Sequence, residues 1–319
     1  MSFVRTVRGD IAAADLGVCY AHEHILIDRS YTTERNPEFC INDVEAASAE
    51  LMDFYAAGGR AMVDSMPCDS GRNVVKLAEI SRRSGVHIVC PTGLHLQKYY
   101  PEGHWGERLG AEQLAELFVA DIEAGVDAND YGGPVLERTA HRAGVIKIAS
   151  GLDRLNAHEQ KLFAAAAEAH RRTGAPILTH TEQGTAAVEQ IERLAGEGVP
   201  LAHVVLSHTD RKPDPAYHRD LLQTGVVLEY DSAFRWKGDD NPTMRLVTAL
   251  LPEFPGQIVL GMDAARRAYW KHYGGKPGLT FLLTDFTRQL AGAGIDGDFW
   301  QALFVRNPAH AYTFADVLQ

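Results

Sequence analysis

The chain has 319 residues, 45% of them hydrophobic, and a formal net charge of −11 at pH 7. That size suffices for a large core and is common for a one-domain α/β barrel. The acidic balance argues against a nucleic-acid partner, and no apolar run approaches the roughly 20 residues of a membrane span.

The opening stretch MSFVRTVRGDI lacks the apolar centre of a secretory signal. Cys19, Cys40, Cys68 and Cys90 form no CxxC pair and read as reduced thiols. Both features predict a cytoplasmic protein. Short apolar runs alternate with longer helical patterns, the signature of parallel strands joined by crossover helices. Strands are expected near 18–22, 60–64, 87–91, 145–149, 177–180, 204–207, 226–229 and 258–261. A helix over 43–57 opens on Asn42-Asp43 and stops at Gly58-Gly59. Over 111–124, Leu114, Leu117, Phe118 and Ile122 recur at helical spacing. A third helix, 156–172, starts with Asn156 as N-cap and ends before Gly174. No linker or tandem repeat divides the chain. The pattern predicts a single-domain TIM (β/α)8 barrel over 1–319. A doubly wound open sheet is the alternative, but no GxGxxG follows the first strand.

A TIM barrel carries its active site at the C-terminal ends of its strands. The first ends in YAHEHI, where His22 and His24 point one way and Glu23 the other. The fourth, in GVIKIA, carries Lys147 at its centre, although burying an ammonium ion costs several kcal/mol. His180 ends the fifth (PILTHTEQGT), His208 follows the sixth (VVLSHTD), and Asp263 follows the eighth (IVLGMDAARR). Singly, each histidine reads as a hydrogen-bonded structural group. Together, these histidines and the aspartate suit zinc or a similar divalent ion. His141, His158, His170 and His218 fall in polar or helical stretches and are expected at the surface. His203 is expected to be structural.

The order HxH, Lys, His, His, Asp, with HEHI, THTEQGT and GMDAARRAYW, resembles the phosphotriesterase family of the amidohydrolase superfamily across nearly the whole chain. The resemblance implies a hydrolase whose lysine reacts with carbon dioxide to form a carbamate. Lys147 would then be an anionic ligand and not a buried cation. It implies two divalent metal ions, zinc first, with manganese and cobalt also suited. His22, His24, Lys147 and Asp263 would hold one, and Lys147, His180 and His208 the other. A bridging hydroxide would attack a lactone carbonyl or a phosphorus centre, with Asp263 as catalytic proton acceptor. A homodimer is common in the family, though no segment marks an interface. Rival readings of Lys147 are a Schiff-base aldolase lysine and a snorkelling surface lysine. A TatD-like nuclease also begins HxH but usually has glutamate in place of this lysine.

The segment AARRAYWKHYGGKPG holds Arg266, Arg267, Lys271 and Lys276 and no carboxylate, and TDRKPD brings Arg211 and Lys212. The plain alternative is solvated loop charge, or an arginine paired with a local acid. Arginine grips phosphate or carboxylate with two parallel hydrogen bonds, and lysine adds a point charge. The two loops together predict a small anionic substrate. Similarity to family members acting on lactones of phosphorylated sugars implies that Lys212, Arg266 and Tyr269 hold a phosphate. Tyr100, or its neighbour Tyr99, would reach in from HLQKYYP. The expected function is hydrolysis of a phosphorylated furanose lactone. An organophosphate triesterase shares the metal site, and an aldolase or a non-catalytic ligand-binding barrel are further alternatives.

Overall fold

The computed structural model describes residues 2–130, 133, 135, 137–236 and 240–316. A hairpin comes first, β1 (Phe3–Thr6) with β2 (Gly9–Ala12), paired antiparallel. The barrel strands follow as β3 (Cys19–Glu23), β4 (Ala61–Asp64), β5 (His87–Val89) and β6 (Pro91–Gly93). After them come β7 (Val145–Ser150), β8 (Ile177–Thr181), β9 (Val204–Ser207), β10 (Val227–Tyr230) and β11 (Ile258–Leu260).

All barrel pairings are parallel, in the orders β3-β4-β5 and β6-β7-β8-β9-β10-β11. The third expected strand is therefore two pieces. β5 pairs with β4, the chain turns through Cys90, and β6 pairs with β7. Pro91 has no N–H to give to a continuous ladder, which accounts for the break. At the other seam, the N–H groups of Met262 and Asp263 donate to the His22 carbonyl at 3.2 and 3.1 Å. Glu23 ties the same ends together, accepting from the Met262 N–H at 2.8 Å and the Ala264 N–H at 3.3 Å. The fold is a single α/β TIM barrel.

Alternation along the strands splits the core in two. Ala21, Val63, Val145, Leu178, Val205, Val227 and Val259 form one buried cluster inside the barrel. Tyr20, Met62, Ile146, Ile177, Leu228 and Ile258 pack outward against the helices. This layered filling is how such barrels exclude a pore. On β7, Lys147 shares the inward parity of Val145, and on β8 His180 shares that of Leu178. A register shift between Tyr20 and Glu23 turns β3 at its end, so that His22 and His24 join the interior.

The expected helices form with their expected caps. Asp43 accepts from Glu45 and Ala46 N–H at the start of Val44–Ala56. Asn156 and Glu159 make a reciprocal capping box on Ala157–Thr173, which Gly174 closes at φ 74°. The third is Ala111–Glu123. Two of the histidines expected at the surface are buried, His170 and His218. Both lie on amphipathic helices and face inward. His170 Nδ1 meets the Ala175 carbonyl at 2.8 Å. His218 Nε2 donates to the Thr209 and Lys212 carbonyls at 3.0 and 2.9 Å, and its Nδ1 accepts from the Tyr230 hydroxyl at 2.8 Å. Among the described residues, no helix is long and apolar enough to cross a membrane. All four cysteines are free thiols.

Candidate metal centre and active site

The C-terminal ends of the strands open into a cavity of ≈ 370 Å³. Its wall includes His22, His24, Lys147, His180, His208 and Asp263, the full set of expected ligands. The rings of His22 and His208 are 4.7 Å apart, and those of His180 and His208 4.5 Å. Asp263 Oδ1 lies 3.0 Å from His24 Nε2 and 3.7 Å from His22 Nε2. Two ligand positions adopt left-handed backbone, His208 at φ 64° and Asp263 at φ 49°. Such conformations are costly for non-glycine residues and cluster at functional sites.

The imidazoles are oriented from behind. Ser207 Oγ meets His22 Nδ1 at 2.9 Å, which leaves Nε2 toward Asp263. Asp231 takes the Nδ1 proton of His208 in a short contact, freeing Nε2. Burial holds the imidazoles neutral: His22 is pushed well below the usual histidine range, His180 to about 4 and His208 to about 3. Burial also lowers the Lys147 amine to about 8. Asp263 goes the other way. Burial would raise it, but Arg235, the His24 hydrogen bond and other nearby cations hold it well below the carboxylate range.

Do these residues fit divalent cations? Among the described residues, three buried nitrogens in the cluster have no hydrogen-bond partner: Lys147 Nζ, His24 Nδ1 and His180 Nε2, the last with Glu182 Oε2 no nearer than 3.5 Å. Buried polar atoms are rarely left so, and several converging on one cavity beside a carboxylate point to an ion they would share. His22, His24 and Asp263 already offer three ligand atoms within 4.8 Å of one another. A second such group, His22, His208, Glu229 and Asp231, lies deeper. Its carboxylates are committed to support: Asp231 to the His208 ring, and Glu229 Oε2 to the His208 N–H at 3.3 Å. Neither lines the cavity.

The substrate-contact expectations divide. Arg266 and Tyr269 line the cavity. Arg267 turns away, its Nε donating to the Cys40 carbonyl at 2.6 Å. Lys212 is placed elsewhere: its Nζ lies 3.6 Å from the centre of the Tyr217 ring, and its neighbour Arg211 lines the cavity instead. Tyr100 is likewise placed outside the wall. Its hydroxyl is spent on the Cys68 carbonyl at 3.1 Å and the His95 N–H at 2.8 Å, and Tyr99 faces the cavity.

Sequence reasoning missed Asp231, Arg235 and His95, the last a cavity-lining ring 5.0 Å from that of His180. Asp231 directly follows β10, so inspecting that strand end one residue further would have found it. Arg235 lies in the loop beyond, with no motif to mark it. His95 sits two residues past β6, a strand end blurred by the break at Cys90.

A barrel mouth bearing neutral imidazoles, a low-pKa carboxylate and a buried amine defines a hydrolase of the metal-binding type. The chain belongs to the Phosphotriesterase family, whose profile matches residues 2–312. It is 31% identical to a protein named phospho-furanose lactonase from Mycoplasmopsis agalactiae, over 98% of this chain and 92% of that one. It is 28% identical to the phosphotriesterase homology protein of Escherichia coli, over 93% and 98%. Among solved structures, a lactonase from Listeria monocytogenes superposes with a TM-score of 0.90 at 32% identity, covering 99% of this chain and 100% of that one.

Proposed function

We propose that the protein opens a lactone, and that its substrate is a furanose lactone carrying a phosphate. The observation that carries this reading is one cavity holding both the ligand set and the rim cation Arg266, which stacks on Phe39 and has no carboxylate partner among the described residues, beside Tyr269. A fixed cation suits a substrate with permanent charge, whereas a neutral phosphotriester gains nothing from it. The relatives named phospho-furanose lactonase support the same choice.

In this reading His22, His24 and Asp263 would hold one divalent cation and His180 and His208 a second, and Lys147, as a carbamate, would contribute to both. Zinc is the first candidate. Bound there, the cations supply Lewis acidity and water acidified toward neutrality. The protein's own groups do the rest. Ser207 and Asp231 keep two imidazoles turned to the cavity. Asp263 would ligate through Oδ1, the oxygen it turns toward His24, and Oδ1 is where the proton released on attack would be accepted. Arg266 grips the phosphate, with Tyr269 beside it, and so orients the lactone carbonyl.

The test compares a pentono-lactone 5-phosphate with the same lactone lacking the phosphate. A kcat/KM preference of several hundredfold, about 3.5 kcal/mol, is expected, and Arg266→Ala should abolish most of it. Equal rates on both substrates would sink the phosphate assignment and leave the metal centre standing.

A further inference from the structure

The carboxylate Asp263 is gripped by two arginines of the cavity wall that no family pattern in the sequence marked out. Arg211 Nη2 donates to Asp263 Oδ2 at 2.7 Å and to Asp231 Oδ1 at 3.1 Å. Arg235 Nη2 donates to Asp263 Oδ2 at 2.9 Å and to the Asp263 carbonyl at 2.6 Å. Its Nη1 reaches Asp231 Oδ1 at 3.2 Å and the Asp231 carbonyl at 2.7 Å. The two carboxylates and two guanidiniums thus form one closed ring of opposite charges. The side chains of Asp231 and Asp263 are 0% and 14% exposed, so each carboxylate needs compensation whether or not a cation is bound.

One oxygen of each carboxylate is left outside the ring: Asp231 Oδ2 holds the His208 ring, and Asp263 Oδ1 faces His22 and His24. Arg235 is held in turn by aromatic rings, its guanidinium 4.7 Å from the centre of Phe234 and 5.8 Å from that of Tyr269. Neither arginine is free to swing onto a substrate without breaking the ring.

From this we infer that Arg211 and Arg235 are built-in counter-cations of the metal centre. They keep Asp231 and Asp263 folded and oriented before any metal arrives, and they confine Asp263 to ligation through Oδ1. Two consequences follow from their charge. The metal-free protein is more stable with them, and a divalent cation entering beside them is repelled. They are positioning residues, and they set metal affinity below what the ligands alone would give. The inference rests on the metal part of the proposed function and not on the substrate.

The experiment uses chelator-stripped full-length protein and the variants Arg235→Met, Arg235→Lys and Arg211→Met. Thermal midpoints are recorded without metal and with zinc, and zinc affinity is measured by competition with a chromophoric chelator. The expected result is a metal-free midpoint lowered by about 4 °C or more in Arg235→Met and Arg211→Met, most of it regained on adding zinc. Zinc should bind both Met variants at least tenfold more tightly than wild type, and Arg235→Lys should fall between. Metal-free midpoints within a degree of wild type, or weaker zinc binding in the Met variants, would overturn the inference. Should Arg235→Met not fold, the Arg211→Met and Arg235→Lys results decide alone. If wild type itself takes up no divalent cation, it is the metal reading that fails.

Discussion

Lys147 shows what a single residue can cost a fold and return as function. The residue is 1% exposed, and its amine has no hydrogen-bond partner among the described residues. Leaving such a group unpaired costs about 1–3 kcal/mol, more if it is charged. In chelator-treated protein without carbon dioxide, Lys147→Met removes the polar atom and keeps the volume. The variant should be more stable than wild type by about 1–3 kcal/mol in urea unfolding. Its hydrolytic rate should fall by about three orders of magnitude or more if, as proposed, Lys147 is a ligand to both cations. A variant less stable than wild type under those conditions would mean that the amine has a partner in solution, and the carbamate reading would lose its physical motive. At this scale the sequence was informative because chemistry constrains residue type: histidines, a lysine and an aspartate on strand ends leave few bland explanations together. Where contact depends on which of two neighbours turns inward, residue type says nothing. Tyr99 and Tyr100 differ only in backbone geometry, as do Arg266 and Arg267, and Lys212 is drawn off by the ring of Tyr217.

At the scale of elements, the site depends on how closely neighbouring strands approach. Gly261, just past β11, sits against β3 and β10 at the seam. A Cβ there would lie 2.5 Å from the His22 carbonyl oxygen and 2.8 Å from Glu229 Oε1. Both neighbours are fixed, one as backbone and one as a buried side chain, so neither can yield cheaply. Gly261→Ala should destabilise the protein by about 2–3 kcal/mol and disturb His22 directly. Chemical denaturation gives the first number, and the metal stoichiometry of the purified variant reports the second. Unchanged stability would show that the strands at this seam are looser than their hydrogen bonds suggest. Alternating apolar runs made the strands legible to within about two residues, and the caps Asp43 and Asn156 made their helices legible. The break at Cys90 was not, because periodicity reports a strand's apolar face and is silent on which neighbour each half pairs with. The same ambiguity hid the inward face of His218, since a histidine counts as polar in any hydrophobic pattern.

On the scale of the whole molecule, buried neutral histidines make stability depend on pH. His218 is the clearest case outside the metal centre. Burial pushes it down to about 4, against about 6.5 in an unfolded chain, and its Nε2–H is committed to two carbonyls of the loop after His208. A histidine with a depressed folded pKa binds its proton first in the unfolded state. Its contribution is therefore fully present above pH 6.5 and is lost as pH falls from 6.5 toward 4. The size of that loss is about 3 kcal/mol, with a slope near 1.4 kcal/mol per pH unit at mid-range. His22, His180 and His208 are also depressed by burial, so metal-free protein should lose stability more steeply still. His218→Gln keeps a donor and an acceptor but cannot titrate. Urea unfolding of the metal-free proteins between pH 6.5 and 4.5 should show the variant's slope shallower by about one proton. Because His218 fastens the segment that carries His208 and Arg211, the variant should also loosen the metal centre at neutral pH, where the titration plays no part. Equal slopes for the two proteins would mean that His218 is solvated in the folded state, and the support it gives to the loop after β9 would have to come from the Lys212 contact with the Tyr217 ring and the helix cap at Asp214 instead.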